Sequence, residues 1–270
     1  MRDSEHEVVR IRFPDGSGRS LGAVVDGCPP GAVVEVAPGR YVGPIRIARS
    51  ITLTGAGDLS RIEAGEAAGV IIVEAGPEDR VALESLTFEG GRSGSGAGLL
   101  VNQGRVFLHN VHIQGCRAKL GGGALHIAGG EVDATLLRVN DVGAARGGAI
   151  WVVGDGLFRL RDGQIESALA EQGGAFAVED GARVFLESVT VNKCRATAPS
   201  GGQAFFVAGA SGSPPPHLSL LRVRLSDVPF GLPVFVDPRH PGRVKVSACD
   251  VPRVVQGVVG VVDGGQNRWR

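Results

Sequence analysis

The feature that most limits what this chain can fold into is a repeat of about 26 residues. Five copies of a glycine-rich turn followed by a short apolar run read GAGLLV, GGALHI, GGAIWV, GGAFAV and GGQAFFV. Their first large apolar residues are Leu99, Leu125, Ile150, Phe176 and Phe205, with steps of 26, 25, 26 and 29. A second series alternates apolar with polar residues, as a half-buried strand must: RVFLHNVHI, EVDATLLRV, LFRLRDGQI, RVFLESVTV, HLSLLRVRL and RVKVSACDV. Its leading inward residues, Val106, Val132, Phe158, Val184, Leu218 and Val244, are spaced 26, 26, 26, 34 and 26. A strand of four residues cannot bury its apolar face alone, but stacking each strand on its counterpart one coil earlier makes a continuous core. The period therefore predicts an all-β chain: a single-stranded right-handed parallel β-helix of about eight coils. The hand follows from the near-universal hand of parallel crossovers.

Residues 1–270 read as one domain, with an N-terminal strand and cap over 1–30, coils over 31–262 and a C-terminal end over 263–270. Forty-three glycines and fifteen prolines punctuate the chain too often for long helices. The one helix expected is a short plug over Leu21 to Asp26, with Ser20 as its N-cap, covering an otherwise open β edge. Twenty-eight basic residues balance twenty-eight acidic ones, which gives no overall attraction to nucleic acid or an anionic membrane. No apolar run reaches the roughly 18 residues of a membrane span, and the charged start MRDSEHEVVRIRF lacks a secretion signal. As written, the sequence points to the cytoplasm; a trimmed precursor would place it outside the cell or on its surface. Cys28, Cys116, Cys194 and Cys249 form no CxxC or CxxH pattern, so neither a zinc site nor any cofactor is expected.

The stretch PPGAVVEVAPGRYVGPIRIARSITLTGAG, Pro29 to Gly57, resembles the N-terminal coil of the pectin-lyase-like superfamily. The GGA-plus-apolar repeats, with CRA turns at Cys116 and Cys194, resemble those of polymorphic outer-membrane proteins, and DGGQNRW from Asp263 is similar to a last coil of such proteins. The resemblance implies the β-helix fold. It leaves function open, since the superfamily holds lyases, hydrolases, epimerases, adhesins and proteins without catalysis. The Asn-Thr-Asp, Asp-Asp, Gly-His-Gly and Arg-Ile-Lys motifs of polygalacturonases are absent, as is the Arg-x-Pro-x-x-Arg stretch of pectate lyases.

Two sets of candidate site residues follow from the register. Polysaccharide cleavage needs grouped carboxylates, and Asp133, Arg138, Arg159, Arg161 and Glu187 are the residues that would supply them and their partners. Asp133 and Glu187 fall two coils apart on neighbouring columns, roughly 10 Å or more from each other, so a solvated mixed-charge face is the competing reading. The second set is an outward apolar column, Leu100, His126, Trp151 and Phe206, with Ala177 among them. Exposed, such a stripe marks a contact site for a protein partner, a second copy or a glycan. Alternatively the loop Ala208 to His217 or the C-terminal tail covers it. The 34-residue step carries eight extra residues around ASGSPPP, an insertion on the surface. The leading expectation is a non-catalytic binding or scaffolding module acting through a flat strand face. The alternative is a carbohydrate-active enzyme, either a polysaccharide lyase or a glycoside hydrolase.

Overall fold

The computed structural model describes residues 8–65, 68–228, 231–252 and 260–269. The chain winds into a right-handed parallel β-solenoid of about nine turns, one more than the period predicts. The inward column Leu99, Leu125, Ile150, Phe176, Phe205 extends back to Ile71 and Ile45 and forward to Val234.

Three parallel sheets run the length of the rod. The first, of 11 strands, starts at Arg10–Phe13 and ends at Val261–Asp263. The second has 13 strands, from Gly39–Val42 to Arg268–Trp269. The third has eight, from Ile45–Ile47 to Val234–Val236. On the first sheet Val81, Val106, Val132, Phe158, Val184, Leu218 and Val244 pair coil to coil, and none is more than 1% exposed. Phe158, Phe176 and Phe205 fill the wider middle of the core, with ring centroids 6.4 and 5.3 Å apart.

The corners explain the glycine pattern. Between the first and second sheets one residue per coil is left-handed: Ser85, Asn110, Leu136, Asp162, Ser188, Arg222 and Ala248, with φ between 50° and 57°. Side chains are tolerated at this corner. They are not at the turn entering the third sheet, where Gly147 has φ 52° and an added Cβ would lie 2.1 Å from the carbonyl oxygen of Ile150. Its neighbour Gly148 would place a Cβ 2.3 Å from the carbonyl oxygen of Gly174 on the next coil. The GG pair is thus the price of one left-handed corner packed tightly onto another coil.

The N-terminal plug forms as the sequence predicts. The helix Leu21–Gly27 is capped by Ser20, whose Oγ accepts from the Ala23 amide at 3.2 Å, and it buries Leu21, Val24 and Val25. Strand Arg10–Phe13 pairs with Ala32–Val36 beside it. The eight-residue insertion is the exposed turn before His217. It returns through Pro216, whose carbonyl accepts from the Arg243 amide at 2.8 Å.

Candidate functional site on the third sheet

The outward column of the third sheet runs Leu100, His126, Trp151, Ala177, Phe206 and Phe235, each paired with the next across one coil. The register is the one read from the sequence, but the stripe is not the open face expected of it. Ala177 is 0%, Phe206 5% and His126 8% exposed, while Leu100, Trp151 and Phe235 keep partial exposure. Two causes close it. The rings stack along the axis, His126 on Trp151 at 4.3 Å and Phe206 on Phe235 at 5.7 Å. The glycine turn of each coil also folds over the side chain of the next, so that a Cβ at Gly121 would lie 2.1 Å from the Trp151 ring and one at Gly96 3.1 Å from the His126 Cβ. Over His126 and Trp151, then, the cover is the repeat's own turn rather than the loop before His217.

Beside the column sits a residue that pattern reading missed. Glu179 closes the strand Phe176–Glu179, is 7% exposed, and accepts from the Trp151 indole Nε1 at 2.5 Å. Arg146 approaches the same carboxylate at 3.5 Å. Burial pushes the Glu179 carboxyl above its ordinary range, against the pull of Arg146 and the Trp151 hydrogen bond. One signal was present in the sequence: an acid on the same outward side as Ala177 in GGAFAVE, where a methyl stands in a column of rings. His126 has neither ring nitrogen in a hydrogen bond with the described residues, and burial pushes its pKa down to about 4. A half-buried indole over a buried acid, rimmed by a guanidinium, suits it to hold a flat ligand or to donate a proton.

The other candidates fall on two different faces. On the first sheet Arg159 donates to Glu131 and, at 3.2 Å, to Asp133. Arg161 lies 3.3 Å from Glu187, which Arg222 also engages. Arg138 belongs to the second sheet, where it donates to Asp58 at 3.1 and 3.3 Å. Asp58 also meets His112 Nδ1 at 3.2 Å and accepts from Thr87 at 3.1 Å, and His112 Nε2 lies 2.7 Å from Asn140 Oδ1. Burial would push the Asp58 carboxyl up, but the bonds from His112 and Arg138 hold it below its usual value. Asp133, Arg159, Arg161 and Glu187 therefore share one sheet as two separate ion-paired groups, and Arg138 is not with them.

Among the described residues no group of three or more His, Cys, Asp or Glu is placed to hold a metal ion. None of their helices is long and apolar enough to cross a membrane. No protein-family model and no curated protein matches the chain.

Proposed function

We propose that the chain is a non-catalytic binding or scaffolding module of the pectin-lyase-like kind, a rigid rod that meets its partner through the third sheet at Leu100, Trp151 and Phe235. The observation that carries this reading is how the carboxylates of the other two faces are employed. Asp133, Glu187 and Asp58 are each bound to a guanidinium, an arrangement that holds structure and does not leave these three carboxylates free to flank a bond as acid and base. The partner is a protein, a second copy of the chain or a glycan that lies flat on the aromatic rings. Light scattering coupled to a glycan-binding screen tests it. The wild type should associate or bind, and Leu100→Ser with Phe235→Ser should abolish the response while the chain stays folded, its thermal midpoint lowered by the lost stacking of Phe235 on Phe206. A wild type that stays monomeric and binds nothing would overturn the reading.

A second reading has one observation in its favour. Glu179, buried against Trp151 with its pKa raised, has the environment of a general acid in a carbohydrate-active enzyme. New reducing ends or unsaturated products released from a polysaccharide, and lost in Glu179→Gln, would establish it in place of the first.

A further inference from the structure

On the first sheet many charges are neutralised in pairs, and one region instead gathers several basic groups. Arg183, His217 and Arg243 occupy the same strand position on three consecutive coils, and Lys245 stands two residues after Arg243. Among the described residues none of the four has a carboxylate within ion-pair distance. The nearest acid on the same strand as Arg183, Glu187, is engaged by Arg161 and Arg222. Asp263, on the coil beyond Lys245, is turned to the Gly265 amide and the Asn267 side chain. Arg183, Arg243 and Lys245 are exposed, and Phe185 tilts against the His217 ring with centroids 5.4 Å apart.

A second, independent feature meets the first here. The longest step between Val106 and Val244, the 34 residues from Val184 to Leu218, enters this same column, and its extra residues form a wall at the strand starts. Pro214 lies 3.5 Å from where a Cβ on Gly181 would stand, and Pro216 is buried, with its ring 2.9 Å from the corresponding point on Gly242. Insertions in repeat proteins collect on binding faces.

We infer that Arg183, His217, Arg243 and Lys245, walled by the 209–216 turn, form a binding site for a tetrahedral oxyanion, a phosphate or sulfate group carried by a ligand. Consecutive coils are about 4.8 Å apart, so the two guanidinium groups flank His217 from either side at about 10 Å between strands. Long arginine side chains close that gap. Two forks arriving from opposite sides donate to different oxygens of a tetrahedral group, whereas one fork alone satisfies the two oxygens of a planar carboxylate. The site is separate from the third-sheet face, so its failure would leave the module reading standing.

Calorimetric titration of the full chain with inorganic phosphate, sulfate and acetate at one fixed ionic strength tests the assignment. Phosphate or sulfate should bind measurably and acetate at least about tenfold more weakly. The Arg183→Gln/Arg243→Gln variant, whose changes are at exposed positions, should lose about 10- to 100-fold in affinity. Lys193→Gln on the second sheet should bind as the wild type does. Phosphate alone over sulfate, or sulfate alone over phosphate, would identify which group the ligand carries. The inference is overturned if neither anion gives more heat than chloride, if acetate binds equally well, or if the double variant titrates like the wild type.

Discussion

Leu136 holds a left-handed backbone, φ 57°, in a column where its counterparts are mostly Ser, Asn and Asp, and its side chain is 45% exposed. The left-handed region costs a branched apolar residue roughly 1 kcal/mol or more, while Asn visits it at little cost. Leu136→Asn should therefore stabilise the fold by about 0.5–1 kcal/mol, read as a higher denaturant midpoint with an unchanged slope. The opposite holds at the third-sheet corner. Gly147→Ala puts a methyl into the Ile150 carbonyl at a positive φ, and should cost several times what the Leu136 change gains. Equal effects at the two sites would mean that the corners are not distinct. In the core, Phe176→Ala should cost about 3–5 kcal/mol through the cavity left between Phe158 and Phe205.

At the scale of one strand column, the third sheet links packing to pH. His126 has a folded pKa of about 4, below its ordinary 6.5, so the fold favours its neutral form. Its contribution is complete above pH 6.5 and falls away as the pH drops toward 4, by roughly 3 kcal/mol in all. Glu179 runs the other way. Its raised folded pKa favours the protonated form, so its contribution is present at low pH and lost as the pH rises through the folded value. Denaturation midpoints taken from about pH 7 down to about 4.5 should fall for the wild type and stay flatter for His126→Phe. Parallel slopes would show that His126 is not the titrating group. Trp151→Ser belongs to the same column. It uncovers His126 and removes the donor to Glu179, and should cost about 2–4 kcal/mol, which a truly exposed indole would not. The column itself was legible, because alternation assigns inward and outward sides without ambiguity. Its burial was not, since that depends on Gly96 and Gly121 folding over the neighbouring coil, and sequence spacing carries no information on how a turn leans. Glu179 was hidden for the same reason. Asp133, Arg159, Arg161 and Glu187 were placed correctly by register, yet their pairing with Glu131 and Arg222 needed side-chain geometry.

For the whole molecule, one register controls distances along the rod, and the cysteines measure it. Cys116 and Cys194 sit at equivalent corners, following Ile113 and Val191 in a column whose intermediate members are Val139 and Ile165. They are three coils apart, about 14 Å along the axis. A disulfide needs Cα atoms within about 7 Å, so no bond can join them in the folded chain. Their chemistry agrees with the geometry. Both thiols are 0% exposed, and burial pushes them up to about 11 for Cys116 and about 12 for Cys194, which leaves almost no thiolate at neutral pH. Mild oxidation of the folded protein should leave both free, and alkylation should reach them only after denaturant opens the coils. Peptide mapping decides the point: a peptide pairing 116 with 194 from folded monomer would bring the two corners within one coil of each other, and a 26-residue turn could not then describe this chain.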